Sequence, residues 1–278
     1  MRSGLIALLT DFGYRDPYVG VMKGVIKSIN PAAEIVDLTH GVTRHSIVEA
    51  AVVLLVSAKY FPHGTIFVVV VDPGVGSERR ALVVETNNYI LLGPDNGCLS
   101  LLAARDGVKR AFDISNTRFK LRDTSHTFHG RDVFAPVAAW ISLGVPLEEV
   151  GVEVPAGSLR MLDIEAPRVG GDHSVEGSVI YIDVYGNIMT NIGPAEITEA
   201  GFLQGDKLKV VGPTGVTGTC VFTTSFSLVA PGELACYMNS WGYLEVAVNM
   251  GDAARMLGVA QGSRIMFAKA GHEVRSGI

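Results

Sequence analysis

Between residue 4 and about residue 145, uninterrupted apolar runs alternate with stretches whose apolar residues recur at helical spacing. GLIALLT (4–10) is a short apolar run, and a helical stretch follows from about Pro17 to Ile29. Asn30-Pro31 closes it, because proline cannot continue a helix. EIVDL (34–38) reads as a strand. The stretch SIVEAAVVLLVSAKYF opens with Ser46 as a cap and Glu49 three residues on, a helix-start signature. TIFVVVVD (65–72) is rich in β-branched residues and apolar on both faces, as a parallel strand covered on both sides must be. ALVVET (81–86) and YILLGPD (89–95) read as further strands, and RDVFAPVAAWISLG (131–144) as a helix ending near a glycine. This alternation predicts a layered, Rossmann-like α/β domain over residues 1–166.

After APRVGGD (166–172), a linker-like stretch, the period changes. SVEGSVIYIDVYGNIMTNI, DKLKVVG, ELACYMNS, YLEVAVN and SRIMFAKA are short alternating strands separated by turns, and only DAARMLG (252–258) reads as a helix. The pattern predicts a small antiparallel, barrel-like β domain over residues 173–278. No internal repeat or low-complexity segment interrupts either half.

Composition narrows the class. With 278 residues, 48% hydrophobic and 18% charged, the chain has ample material for a core. A net charge of −5 argues against a nucleic-acid groove, where a basic excess is expected. No window holds the roughly 18 apolar residues that span a bilayer. The start, MRSGLIALLTDFG, has no small-residue cleavage site and reads as a buried strand rather than a signal peptide. Cys98, Cys220 and Cys236 are widely spaced and odd in number, which suggests reduced thiols and a cytoplasmic location.

In open α/β sheets, ligands bind beyond the carboxyl ends of the strands. Four polar clusters fall at such positions: Thr10-Asp11-Phe12-Gly13, Asp72-Pro73-Gly74, Gly93-Pro94-Asp95-Asn96-Gly97 and Phe128-His129-Gly130-Arg131-Asp132. Singly, each has an ordinary reading. An aspartate before glycine or proline is commonly a turn former, the favoured reading for Asp95, and a lone histidine is more often a surface residue than a catalyst. Their convergence on one sheet is the functional signal. DPGVGS lacks the Lys-Ser/Thr pair of a phosphate loop. His126 and His129 find no third zinc ligand at a helpful spacing, and Asp11 with Asp16 makes a poor cage for a hard cation, so no metal is expected.

The stretches LLTDFGYRDPYVGVMKG, VVDPGVGSERR, GPDNG, TFHGRDVFAP, YGNIMTNI and NSWGYLEVAVN, running in order from residue 8 to about residue 253, resemble the S-adenosyl-L-methionine hydroxide adenosyltransferases. These are relatives of the fluorinase and chlorinase that make 5′-halogenated adenosines. The resemblance implies hydrolysis of S-adenosyl-L-methionine to adenosine and L-methionine by water attacking C5′ of the ribose, with no cofactor. It also implies a homotrimer with active sites shared between subunits. The hydrolytic branch carries an Asp, an Arg and a His, which fall here on Asp72, Arg79 and His129, with Arg80 the rival for Arg79. The substrate-binding positions it implies are Asp11 for the ribose diol and Asp16 for the methionine ammonium or a ribose hydroxyl. From the second domain it implies Asp183, Tyr185 and Asn187 near adenine and the amino-acid end, Ser240 and Glu245 for the amino acid, and Asn249 for the adenine edge. Tyr185-Gly186-Asn187 also fits a plain hairpin turn, Asp16 a helix start, and Trp241 a core or interface aromatic.

The implied chemistry is coherent. The sulfonium departs as a neutral thioether and needs no general acid, so the difficulty lies with the nucleophile. A carboxylate and a histidine orient the water and take its proton, and a nearby cation keeps the base ionised. The halogenating branch has a tyrosine where Asp72 stands, and a carboxylate there would repel a halide. Two readings compete with hydrolysis: a nucleoside hydrolase, which needs a denser aspartate cluster around calcium, and a non-catalytic S-adenosylmethionine or adenosine binding module.

Overall fold

A computed structural model describes residues 4–270 of the chain, which divides into two compact units, Met1–Leu162 and Asp163–Ile278. In the first unit, β1 (Leu5–Thr10), β2 (Glu34–Thr39), β3 (Ile66–Val70), β4 (Ala81–Thr86), β5 (Ile90–Pro94), β6 (Val108–Asp113) and β7 (Val152–Val154) form one sheet in the order β2-β1-β3-β5-β4-β6-β7. The β2–β1, β1–β3 and β3–β5 pairs are parallel, and the remaining pairs are antiparallel.

Helices cover both faces, which is why the central strands are apolar without interruption. Ile6, Leu8, Val68 and Val70 face α1 (Tyr18–Ile29) and a helix further along the chain, in one continuous core with Met22, Ile26, Val137 and Ile141. The alternate residues Ala7, Leu9, Phe67 and Val69 pack with Ala50 and Leu54 of α2 (Ile47–Ser57) and Leu102 of α3 (Ser100–Asp106). Ser46 caps α2, its hydroxyl accepting the Glu49 N–H at 3.3 Å. The predicted helix over 131–144 is two structures: a π-helical turn, Gly130–Phe134, and then α4 (Ala135–Ser142). A short α5 (Leu147–Val150) completes the unit.

The second unit comprises β8 (Arg168–Gly170), β9 (Ser174–Ile182), β10 (Ile188–Thr190), α6 (Pro194–Glu199), β11 (Lys207–Val211), β12 (Thr217–Phe222), β13 (Leu234–Met238), β14 (Leu244–Val248), α7 (Ala253–Leu257) and β15 (Arg264–Lys269). The strand order β10-β14-β13-β12-β11-β15-β9 closes through β10–β9 pairing into a seven-stranded barrel, and β8 adds outside β9. Within the stretch read from sequence as a linker, Arg168–Gly170 therefore forms a strand. The expected antiparallel arrangement fails at one place: β12 and β13 are parallel, because the connection between them crosses over instead of turning back. Cys220 and Cys236 fall on this pair with Cα atoms 5.8 Å apart and form a disulfide, so the expectation of reduced thiols holds for buried Cys98 alone. Among the described residues no helix is long and apolar enough to cross a membrane.

Candidate active site

The parallel strands β1 and β3 end on the same edge of the sheet, and each delivers an aspartate there, Asp11 and Asp72. Beyond Asp72 the chain makes a tight loop. Val75 N–H donates to the Asp72 carbonyl, and the Ser77 hydroxyl donates to the Gly74 carbonyl at 2.7 Å. Gly76 has φ +79°, and a Cβ at this position would run into the carbonyl of His126. Only glycine meets both conditions.

The loop folds Arg79 back onto Asp72. Nε donates to Oδ1 at 2.8 Å, and Nη2 pairs with Oδ2, a two-pronged contact. Both side chains are nearly buried, 10% and 5% exposed. The same Nη2 lies 2.9 Å from Nδ1 of His129. A guanidinium can only donate, so Nδ1 is the acceptor and the neutral ring carries its proton on Nε2. Burial, and next the Arg79 charge, push the His129 pKa below the ordinary imidazole value, favouring that neutral form. Arg80 points elsewhere, donating to Asp95 and to Ser158. Of the two arginines, the one that meets Asp72 is Arg79. Asp95 also accepts the Arg160 N–H, and Asn96 holds the Val71 carbonyl at 2.9 Å, so the GPDNG cluster braces the end of β3.

His129 is positioned by the π-helical turn. Pro136 lacks an N–H, which leaves the carbonyl of Asp132, four residues back, without its α-helical donor. That carbonyl accepts the Leu121 N–H at 2.8 Å, and the fully buried Asp132 carboxylate accepts the Ser125 N–H at 2.8 Å. Residues 121–128 are thereby stitched against the helix start.

Asp11, Asp16, Asp72 and His129 all line one cavity of about 660 Å³. Asp11 Oδ2 accepts the N–H of His45, a residue with φ +66°. Asp16 is exposed. Phe12, Tyr18 and Phe128 form an aromatic cluster on the wall, with centroids 5.2–5.8 Å apart. Sequence reasoning passed over Tyr18, Arg44 and His45 as lining residues; HGVTRHS (40–46) carries no strand or helix pattern, and that irregularity was the available signal. Among the described residues no group of three or more His, Cys, Asp or Glu is placed to hold a metal ion.

In the second unit, Asp183 organises the β9–β10 turn. Its Oδ1 accepts the N–H groups of Tyr185 and Asn187, and Oδ2 accepts the Asn187 side chain at 2.8 Å. Asp183 and Asn187 are thus engaged with each other, and Tyr185 is presented outward, 74% exposed. Glu245 accepts from Tyr237 Oη at 2.7 Å and from Asn239 Nδ2 at 2.8 Å. Burial, then Glu245, then Asp183 push the Tyr237 phenol upward, which places Asp183 within electrostatic reach of that pair. Ser240 is exposed in the β13–β14 turn. Asn249, beyond the far end of β14, donates to the Val229 carbonyl at 2.7 Å, so the strand separates the two.

Two family models match the chain: the SAM hydroxide adenosyltransferase N-terminal domain over residues 6–151 and its C-terminal domain over residues 177–266. The (R)-S-adenosyl-L-methionine hydrolase of Thermus thermophilus is 37% identical over 264 residues, covering 92% of this chain and 96% of its own length. That of Salinispora tropica is 36% identical over 261 residues, covering 94% and 96%. A fluorinase from Nocardia brasiliensis is more distant, 26% identical over 282 residues, covering 91% and 93%. The crystal structure of an uncharacterized conserved protein from Thermotoga maritima matches with a TM-score of 0.89 at 39% identity, covering 95% of this chain and 100% of that one.

Proposed function

Since the chain belongs to the S-adenosyl-L-methionine hydroxide adenosyltransferase family, we propose a site and a mechanism for its activity, hydrolysis of S-adenosyl-L-methionine to adenosine and L-methionine. The carrying observation is that Asp72 and His129, which line the cavity together with Asp11, are joined through Arg79, which contacts both.

Water attacks C5′ as the C5′–S bond breaks, and the bonding pair leaves on sulfur to give the neutral thioether of methionine. The water proton passes to Asp72, whose remaining lone pairs are free to accept it. Arg79, paired with that carboxylate, holds it in place until the step occurs. His129, with Nδ1 occupied by Arg79, offers Nε2–H to the water oxygen and steadies its developing negative charge. The histidine is thus an orienting donor and Asp72 the base. Holding water opposite the sulfur in a walled cavity converts a bimolecular encounter into a positioned one.

Asp11 accepts the hydroxyl protons of the ribose diol, and Asp16 takes the methionine ammonium. From the second unit, Tyr185 on its Asp183–Asn187 turn, Ser240, Glu245 and Asn249 are the groups for adenine and the amino-acid end. The (R) designation of the relatives supports the (R) sulfonium epimer as substrate. The homotrimer implied by the family resemblance would elute at about 89 kDa, three times 29.6 kDa, in size-exclusion chromatography with light scattering.

The test is turnover in oxygen-18 water, with and without chloride, read by mass spectrometry. Labelled adenosine plus methionine, abolished in Asp72→Ala, is the expected result. Free adenine, or full turnover by Asp72→Ala, would overturn the mechanism.

A further inference from the structure

The end of β1 is held by a buried polar chain that no part of the mechanism uses. Thr10, the last residue of β1 and the neighbour of Asp11, is fully buried, and its hydroxyl lies 2.8 Å from Nδ1 of His40. The His40 side chain is itself 0% exposed. Its Nε2 lies 3.1 Å from Asp37 Oδ1, close enough to pair though off the ideal hydrogen-bond line, and neither atom has another hydrogen-bond partner. The other oxygen of Asp37 accepts from Lys23 Nζ at 2.6 Å and from Tyr14 Oη at 2.9 Å. An apolar strand end has no packing need for such a chain, and burying unpaired polar groups is costly.

The proton positions follow from the partners. Thr10 Oγ1 already accepts the Phe12 N–H at 3.2 Å, so its own hydrogen is free to go to His40 Nδ1. His40 then carries its proton on Nε2, facing the Asp37 carboxylate. The opposite tautomer would set a lone pair against that carboxylate. Burial pushes the His40 pKa down, which agrees with a neutral ring. The same histidine also accepts the Gly13 N–H at its backbone carbonyl, 2.7 Å away. Both ends of the Thr10–Gly13 turn are therefore fixed by one residue, and Asp11 stands between the two fixed points.

We propose that His40, held by Asp37, is a positioning residue that aims Asp11 at its ligand, so that the Lys23–Asp37–His40–Thr10 chain sets affinity for the ribose diol. The inference rests on the assignment of the diol to Asp11 and extends it to groups outside the cavity.

Calorimetric titration of adenosine and of 2′,3′-dideoxyadenosine separates the possibilities. Thr10→Val keeps the volume and removes the hydroxyl, and it should weaken adenosine about tenfold while changing dideoxyadenosine less than twofold. Thr10→Ser should restore adenosine binding. In an Asp11→Asn background, Thr10→Val should cause no further loss, since its route to the ligand is already cut. Equal weakening of both ligands would mean general damage and overturn the proposal. Wild-type adenosine affinity in Thr10→Val, with Asp11→Asn impaired, would overturn it while leaving the diol assignment standing. An unimpaired Asp11→Asn would instead remove the diol assignment itself and the proposal with it. Should Thr10→Val not fold, Asp37→Ala, at a part-exposed position, gives the same comparison: selective loss of adenosine supports the proposal, and unchanged adenosine overturns it.

Discussion

Replacing Arg79 with methionine leaves Asp72 in a buried position with its counter-ion gone. In the wild type the carboxylate is 5% exposed and receives two guanidinium contacts. Removing one partner of a buried ion pair costs about 3–5 kcal/mol, because the remaining charge loses its counter-ion in a poorly solvated place. The side chain also covers the Phe134 ring, 5.8 Å from its centroid, so methionine retains part of the packing and the low end applies. With a urea slope of about 3 kcal/mol per molar, a loss of ~3 kcal/mol lowers the denaturation midpoint by about 1 M. Turnover should fall at least about 100-fold, since base and orienting histidine lose their common support. The double variant Arg79→Met/Asp72→Leu, an apolar pair, should recover most of the stability and none of the activity. Urea denaturation followed by circular dichroism, beside adenosine release by chromatography, measures both. Stability within about 0.5 kcal/mol of wild type, or turnover within threefold, would refute the view that Arg79 is the counter-ion and support of a buried, catalytic Asp72.

Three further outcomes are expected. Because burial and then Arg79 depress the His129 pKa, kcat/KM should rise as pH increases through a value below the ordinary ~6.5 and be insensitive to this group above it; in Arg79→Met the acid limb, where measurable, should move to higher pH. The linked stability has the same sign, full above about 6.5 and lost as pH falls through the folded-state value, because the unfolded chain binds the proton more readily. Gly76→Ala, forced to φ +79° against the His126 carbonyl, should lower the melting temperature and cut kcat by displacing the Arg79 loop, whereas Gly74→Ala, with no neighbour nearer than 3.5 Å, should do less. Ser46→Ala removes the cap of α2 and should cost about 1 kcal/mol in urea denaturation with turnover unchanged.

The parts of the fold legible in the sequence were those where one physical rule acts alone. TIFVVVVD announces a strand buried on both faces because both faces are covered, and Ser46 with Glu49 marks a helix start through a local hydrogen bond. β12, TGTCVF, was passed over because Gly218 and two threonines dilute its apolar pattern, and its parallel pairing with β13 depends on a crossover that no local signal encodes. The π-helical turn hid inside a helical period because one widened turn alters that period too little to notice. At the site, Asp72 stands out where an apolar run stops at a charge. The choice between Arg79 and Arg80 depends on which way a loop turns, and adjacency in sequence cannot express that. The Thr10–His40–Asp37 chain joins two strands 30 residues apart, so no motif window contains it.

The proline inside the first turns of α4 sets a limit on how this enzyme can be stabilised. A redesign guided by helix propensity would replace Pro136 and expect a straighter, stronger helix. Such a helix would offer the Asp132 carbonyl a donor of its own and so compete with Leu121, releasing the loop that carries Ser125, Phe128 and His129 to the cavity. Heat resistance and turnover are therefore in conflict at this one position. Improvements in robustness have to be sought elsewhere, in parts of the fold that carry no substrate-binding group.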